Sequence, residues 1–238
     1  MDEIVEFSAG DLKFKSNYRS GQKIIVFSHG FGVDRFSRGM FSDIADSMPD
    51  EWGYMLFDYN KIEGSDVYLR SYSEQVAMLN SVIGFAASLT KEVYLIGHSM
   101  GSVTASLAYN ETPKKVVFLA PPLRHGGSAR QKWAAYNGAR YENGILVVPR
   151  RDGTTSHIPD AFFDEAHEVH AMEAMADYSK IREFTIIQAL EEEIIPNTAD
   201  YDKLVSDRIN LVKIHGNHNF DPPHRSNLIH TIIDILTV

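Results

Sequence analysis

The fold of this chain is decided by the stretch VYLIGHSMG, which occupies residues 93–101. Its apolar beginning, Val93–Ile96, predicts a strand, and Val103–Tyr109 predicts a helix directly after it. The letters between them match the pattern G-x-S-x-G, with Ser99 in the middle. A strand that turns sharply into a helix holds this serine in a strained backbone conformation and points its hydroxyl at the helix N-terminus, where a developing anion is favoured. The stretch therefore predicts that Ser99 is a nucleophile.

Short apolar stretches alternate with longer helix-like stretches on both sides of this segment. An N-terminal hairpin is predicted from Ile4–Phe7 and Leu12–Lys15. Buried strands are predicted over Lys23–Ser28, Gly53–Asp58, Val93–Gly97, Lys115–Ala120, Glu183–Ala189 and Arg208–His215. Helices are predicted over Phe41–Ser47, Ser73–Leu89, Ser102–Asn110 and Pro222–Leu236. This alternation predicts the α/β class, with a mostly parallel sheet that carries helices on both faces.

Residues 121–182 interrupt the alternation for about 60 residues, which is longer than an ordinary connection between core strands. We interpret them as a small cap inserted after the sixth core strand, so that residues 1–120 and 183–238 form the core. Within the insertion, a single helix is predicted over Asp160–Tyr178.

The charges of this insertion are segregated. Residues 121–151 carry six basic side chains against one acidic, whereas residues 152–183 carry eight acidic against two basic. Either the basic half forms a mouth that attracts an anionic substrate, or the two halves face each other or are solvated, which is the commoner arrangement. Five aromatic residues either line a pocket or form the insertion's own core: Trp133, Tyr136, Tyr141, Phe162 and Phe163.

Four side chains of the insertion have the chemistry of metal ligands, namely Asp164, His167, Glu168 and His170. The two histidines are three residues apart and do not form an H-E-x-x-H pattern, and the spacing indicates no third ligand. We interpret these residues as a solvated helix face and predict no metal site.

A second polar turn, SHGFG over residues 28–32, follows an earlier predicted strand. Such a turn places the N–H of Phe31 beside the N–H of Met100, so that two backbone donors point at one oxygen and stabilise a tetrahedral intermediate. We interpret His29 as a hydrogen-bonded scaffold residue, with a role as base as the less favoured alternative.

A serine nucleophile requires a general base, and the base requires a carboxylate that orients it. His218 lies in the polar loop of residues 215–220, after the last predicted strand, where an open α/β sheet places its site. We prefer His218 to three other histidines near the C-terminus: His215, His224 and His230.

The carboxylate is expected after the preceding strand, where three glutamates, Glu191, Glu192 and Glu193, are adjacent. Their positions alone leave the choice among them open. The alternative placement, after the strand Lys115–Ala120, offers only Glu142 nearby and is disfavoured.

With these motifs in this order, the chain resembles the α/β-hydrolase family from about residue 21 to its end. Ser99 stands in the family's nucleophile elbow, and Phe31 follows the His-Gly of its oxyanion turn. The order serine, acid, histidine is also the order of the family.

The resemblance also ranks the acidic residues. Glu192 stands four residues before Pro196, where the family commonly has Asp in a D-x-x-x-P pattern, so the resemblance favours Glu192 over its neighbours. His218 lies in Gly-Asn-His-Asn-Phe, which has one residue fewer between Gly and His than the family's G-x-x-H-x-F pattern.

What the resemblance implies is a serine esterase that cleaves small-molecule esters without a cofactor. The catalytic residues would be Ser99, Glu192 and His218, with Phe31 and Met100 as the oxyanion hole. Thioesters and C–C bonds remain alternative substrates for the same triad, and a ligand-binding module that keeps the fold without turnover is the alternative outside enzymes. The segment Arg150-Arg151-Asp152-Gly153, followed by Ile158-Pro159, adds a shorter resemblance to small bacterial cinnamoyl or feruloyl esterases.

Composition excludes several other classes. The absence of cysteine rules out disulfides and thiolate metal ligands, and a net charge of −9 argues against nucleic acid as a partner. No apolar run is long enough for a membrane span, and the acidic N-terminus is unlike a signal peptide. We therefore expect a cytoplasmic protein, with a homodimer as an open alternative.

Overall fold

The computed structural model describes residues 2–124, 129–196 and 198–237 and arranges them around two β-sheets. The strands of this part of the chain are β1 (Glu3–Ala9), β2 (Leu12–Arg19), β3 (Lys23–Ser28), β4 (Trp52–Phe57), β5 (Lys61–Glu63), β6 (Asp66–Tyr68), β7 (Glu92–His98), β8 (Val116–Leu119), β9 (Arg140–Glu142), β10 (Ile145–Pro149), β11 (Thr155–Pro159), β12 (Phe184–Ala189) and β13 (Ile209–Ile214). The helices are α1 (Met40–Ser47), α2 (Tyr72–Leu89), α3 (Met100–Ala108), α4 (Ala129–Ala134), α5 (Asp160–Glu168), α6 (Ala171–Ser179) and α7 (Arg225–Thr237), with a 3₁₀ helix over Thr198–Lys203. Residues 125–128 of the predicted insertion lie outside the described residues.

The larger sheet has eight strands in the order β1-β2-β4-β3-β7-β8-β12-β13. The pairs β1–β2 and β2–β4 are antiparallel, and the other five neighbouring pairs are parallel. Each of the six predicted parallel strands begins and ends within one residue of its predicted first and last residues. Strand β2 continues four residues beyond its prediction, to Arg19, because its polar second half pairs with β4. The predicted fold class, an α/β fold with a mostly parallel sheet, is confirmed.

Helices cover both faces of this sheet, and strand β3 shows how. Ile24 and Val26 belong to the core that contains the apolar residues of α2 and α3. Ile25 and Phe27 belong to the core that contains those of α1 and α7. All four are at most 1% exposed. A strand buried on both faces reads as a continuous apolar run, which is why the sequence reveals these strands clearly.

The smaller sheet corrects part of the sequence interpretation. Its order is β5-β6-β11-β10-β9, and β6 pairs in parallel with β11. Strands β5 and β6 precede the predicted insertion by more than fifty residues and were not predicted, because three-residue strands carry no periodic signal of their own. The insertion therefore shares its sheet with a segment of the predicted core.

The prediction of one helix over Asp160–Tyr178 is wrong. The chain forms α5 and α6 instead, and Val169 and His170 lie between them in non-helical backbone conformations. Met175 and Tyr178 of α6 are fully buried in the core that also contains α3. Residues of α6, in the predicted cap, thus pack with residues of α3, in the predicted core. The division of the chain into core and cap therefore stays a prediction.

Candidate active site

Ser99 lies in the turn that joins β7 to α3. Its backbone has φ 51° and ψ −126°, a strained conformation for a residue with a side chain. The glycine on each side is required for close packing: a Cβ on Gly101 would lie 2.1 Å from the carbonyl oxygen of Ser28, and a Cβ on Gly97 would lie 2.8 Å from Cα of Ser102. The local structure is thus the strand–turn–helix that the G-x-S-x-G pattern predicts.

The polar turn after β3 packs directly against this serine. A Cβ built on Gly30 would lie 3.2 Å from Cβ of Ser99. Phe31 follows in the same turn and is half-buried, and Met100 is the first residue of α3. The N–H of a residue at this helical position has no acceptor within the helix. The turn and the start of the helix are therefore neighbours around Ser99.

His29 is a buried scaffold residue in this turn. The N–H of Tyr59 donates to its Nε2 at 2.9 Å, so the ring proton is on Nδ1, which lies 2.9 Å from the carbonyl oxygen of Gly30. Burial lowers the pKa of His29, although nearby Asp58 opposes the shift. Both ring nitrogens thus have backbone hydrogen-bond partners, and the ring links the turn of residues 28–32 to Tyr59.

His218 and Glu192 form a buried pair. Nδ1 of His218 lies 2.8 Å from Oε2 of Glu192, and their side chains are 5% and 2% exposed. The other carboxylate oxygen, Oε1, accepts hydrogen bonds from the N–H groups of Ile194 at 2.8 Å and Ile195 at 2.9 Å. Burial by itself would raise the pKa of Glu192, but these hydrogen bonds and the one from His218 outweigh it and lower the pKa. Glu192 therefore stays ionised beside the imidazole.

The other two glutamates contact different parts of the histidine loop. Glu191 lies 2.6 Å from Nδ1 of His215 in a largely exposed pair, and it also accepts the N–H of Gly216. Glu193 accepts the backbone N–H of His218 at 3.0 Å. Of the three adjacent acids, the structure brings Glu192 to the imidazole of His218.

The rival histidines lie elsewhere. His215 is exposed and its ring centroid is 6.5 Å from that of His224. His230 is exposed on α7. His218, by contrast, contacts the residue next to Ser99: its backbone oxygen lies 3.0 Å from Nε2 of His98.

Comparison with known proteins identifies the family of this chain. A family model described as the alpha/beta hydrolase family matches residues 25–207. The chain belongs to the α/β-hydrolase family. It is thus a member of a hydrolase superfamily, and esterases are among its structural neighbours. No curated protein matches the sequence.

Solved structures similar to this hydrolase share its fold at low sequence identity. Est1E from Butyrivibrio proteoclasticus has a TM-score of 0.75 at 15% identity, over 98% of this chain and 97% of that chain. A second structure of Est1E, with ferulic acid bound, has a TM-score of 0.75 at 14% identity, over 98% of each chain. GrgF, an alpha/beta hydrolase from Penicillium sp. sh18, has a TM-score of 0.78 at 13% identity, over 100% of this chain and 98% of that chain.

Aromatic residues of the insertion pack on the polar turn of residues 28–32 in this hydrolase. The ring of Phe31 stacks on Trp133 at 4.9 Å between centroids and lies 5.6 Å from Phe162. Trp133 stacks in turn on Tyr136 at 5.2 Å. Tyr141 lies apart from this group, 51% exposed and hydrogen-bonded to Arg130. The predicted aromatic set therefore divides: Trp133 and Phe162 pack on Phe31, whereas Tyr136 and Tyr141 are 44% and 51% exposed.

The charges of the insertion are largely paired. Arg130 of the basic half contacts Asp160 of the acidic half, and Arg38 of the core contacts Asp152 at 2.9 Å. Nη1 of Arg150 donates to the carbonyl oxygen of Gly32 at 2.6 Å, and burial lowers the pKa of Arg150. Of these contacts, the one between Arg130 and Asp160 joins the two halves of the insertion, as expected if they face each other. The other two join the insertion to the core, and Arg150 contacts the polar turn of residues 28–32.

Three of the four residues with metal-ligand chemistry lie in α5, which ends at Glu168, and His170 lies between α5 and α6. Within the described residues, no group of three or more His, Cys, Asp or Glu side chains is placed to bind a metal. None of the helices in that part of the chain combines the length and the hydropathy that crossing a bilayer requires.

Proposed function

We propose that this hydrolase cleaves small carboxylic esters through an acyl-enzyme, with Ser99, His218 and Glu192 as its catalytic triad. The observation that carries the proposal is the buried 2.8 Å contact between Glu192 and His218, whose backbone oxygen contacts His98, the neighbour of the strained Ser99. This combination of nucleophile, base and orienting acid is what ester hydrolysis by a serine requires.

In the first half of the reaction, Oγ of Ser99 attacks the carbonyl carbon of the ester while His218 takes the hydroxyl proton. The N–H groups of Phe31 and Met100 stabilise the oxyanion of the tetrahedral intermediate. The bond from the carbonyl carbon to the alcohol oxygen then breaks, and His218 returns the proton to the leaving alcohol. Water hydrolyses the acyl-serine by the same steps and releases the acid.

Glu192 acts through His218. Because the pKa of Glu192 is lowered, the carboxylate is ionised and accepts the hydrogen bond from Nδ1. This fixes the imidazole with Nε2 free to take a proton, and the negative charge stabilises the imidazolium that forms.

The substrate class rests on two further observations. Esterases are among the proteins with similar structures, and one of them, Est1E, is described with ferulic acid bound. In this chain the aromatic stack of Phe31, Trp133 and Tyr136 begins at the oxyanion turn itself. Esters of aromatic acids are therefore included among the proposed substrates, with simple acyl esters as the reference.

The proposal is tested by turnover of p-nitrophenyl esters, hydroxycinnamate esters and a matched thioester, together with labelling by a fluorophosphonate probe. Ser99→Ala should abolish labelling and lower kcat by at least about 10⁴-fold. Ser102→Ala is the matched control, because this neighbouring serine is buried and its hydroxyl has no hydrogen-bond partner among the described residues. It should retain activity and labelling.

Failure to label the wild-type chain would indicate a ligand-binding module without turnover and would overturn the proposal. Faster cleavage of the thioester than of every oxygen ester would replace the proposed ester substrate with a thioester. Equal labelling of the Ser99→Ala variant and the wild type would show that another group is the nucleophile.

A further inference from the structure

His98 is a buried histidine that the proposed reaction does not use. It stands between the first glycine of the elbow and Ser99, and it is 3% exposed. Its Nε2 lies 3.0 Å from the backbone oxygen of His218, and its Nδ1 lies 3.3 Å from Oγ of Ser37. Its ring centroid is 5.0 Å from that of His218. The side chain thus bridges the nucleophile's strand and the loop of the proposed base.

The partners of His98 determine its tautomer. A carbonyl oxygen can only accept a hydrogen bond, so Nε2 of His98 carries the proton and donates a hydrogen bond to the backbone oxygen of His218. Nδ1 then has a free lone pair and accepts from the hydroxyl of Ser37. Burial lowers the pKa of His98 to about 3, helped by its proximity to His218. The ring is therefore neutral, with one donor directed at the histidine loop.

The loop that carries His218 has no regular secondary structure from His215 to Asn219. Side chains hold its backbone instead. The N–H of His218 donates to Glu193 at 3.0 Å, and its carbonyl oxygen accepts from His98 at 3.0 Å. Both backbone polar groups of this residue are thus held, in addition to the contact of its ring with Glu192.

We propose that His98 is a positioning residue for ester hydrolysis, which holds His218 at a set distance from Ser99. The proposal rests on the function proposed above. His98 precedes Ser99 in the chain and is joined to it by a peptide bond. The hydrogen bond from its side chain to the His218 backbone therefore links the proposed nucleophile and the proposed base. Proton transfer from serine requires a separation close to hydrogen-bond length, and an error of about 1 Å in such geometry can cost about 10²-fold in rate.

The test compares His98→Gln with His98→Asn. Both side chains are amides of similar polarity, but only glutamine is long enough to place an N–H donor where Nε2 of histidine lies. We expect His98→Asn to lower kcat for a p-nitrophenyl ester by about 10- to 100-fold with KM changed less than about twofold. His98→Gln should restore kcat to within about threefold of the wild type.

A second arm uses the His218→Ala background. If His98 acts through His218, His98→Asn causes no further loss of residual turnover there, because the group that it positions is gone. Thermal unfolding of every variant at neutral pH reports whether the chains are folded, and His98→Gln keeps the test informative if the asparagine variant is unstable.

Equal kcat values for the glutamine and asparagine variants would overturn the proposal, and so would the same fold-loss in the His218→Ala background as in the wild type. A failure of the proposed triad can be distinguished from a failure of the positioning role alone. It would appear as full turnover by Ser99→Ala and His218→Ala, and the positioning role of His98 would fall with it.

Discussion

Replacing His98 with glutamine should reduce the loss of stability that acid causes in this protein. Burial lowers the pKa of His98 from 6.5 to about 3 in the folded chain. Between these values the unfolded chain binds a proton that the folded chain does not. Stability therefore falls as the pH decreases from about 6.5 towards about 3. Above about pH 7, His98 causes no such loss of stability, because it is neutral in both the folded and the unfolded chain. Glutamine does not titrate, so the variant lacks this term.

The size of the effect follows from the same two values. Each pH unit between the two pKa values of this group changes the free energy of unfolding by about 1.4 kcal/mol. Acidification from about pH 7 to about pH 5 should therefore cost the wild type about 2 kcal/mol more than His98→Gln. The pKa of buried His29 is also lowered, but that residue is present in both chains and its contribution cancels. A difference of this size is a large part of the stability of an ordinary domain, which is about 5–15 kcal/mol.

Urea unfolding measured by circular dichroism at both pH values gives the free energies. The relevant quantity is the difference between the pH-induced changes of the two chains, because the substitution also alters packing by an amount that is the same at each pH. Parallel losses of stability in the two chains, within about 0.5 kcal/mol, would show that His98 takes up a proton as readily in the folded chain as in the unfolded chain, and would refute the reasoning.

Glu192→Gln should lower kcat by up to about 10⁴-fold, and more than the same change at Glu191 or Glu193, because only Glu192 contacts the imidazole of the proposed base; the largest loss at Glu193 would contradict this. EDTA should leave kcat/KM unchanged, because the proposed reaction uses only side chains and backbone N–H groups. A rate that EDTA abolishes would assign the chemistry to another group. Arg150→Met should lower kcat by about tenfold, since it removes a charge-assisted hydrogen bond from the turn proposed to supply an oxyanion donor. The exposed neighbour serves as control, and an equal effect of Arg151→Met would remove the special role of Arg150.

The elements that the sequence predicted best are those whose pattern is local. Strand β3 and its neighbours in the larger sheet are apolar on both faces, so each appears as a continuous run that needs no knowledge of its partners. The elbow around Ser99 is also local, because the strand, the glycines and the helix are consecutive in the chain. The fold class and the nucleophile prediction both follow from these segments.

The errors occur where structure depends on distant partners. Strand β6 exists because Asp66–Tyr68 pairs with Thr155–His157, which is remote in the chain, and three residues carry no periodicity. The break between α5 and α6 has a related cause. One helical pattern runs through Asp160–Tyr178, but the buried residues of α6 pack into the core beside α3, and this requires a change of direction at Val169.

The candidate site shows the same division. The sequence by itself determined which residue types are available: a serine in an elbow, a turn with free N–H groups, a histidine loop and three adjacent glutamates. It did not determine which glutamate meets the imidazole, because adjacent side chains of a loop point in different directions and their partners lie about 25 residues further on. It also did not reveal the hydrogen bond from His98 to His218, which joins residues 120 positions apart. Tertiary structure decided both, because a hydrogen bond depends on distances and angles that only the packed arrangement of the two loops around the sheet supplies.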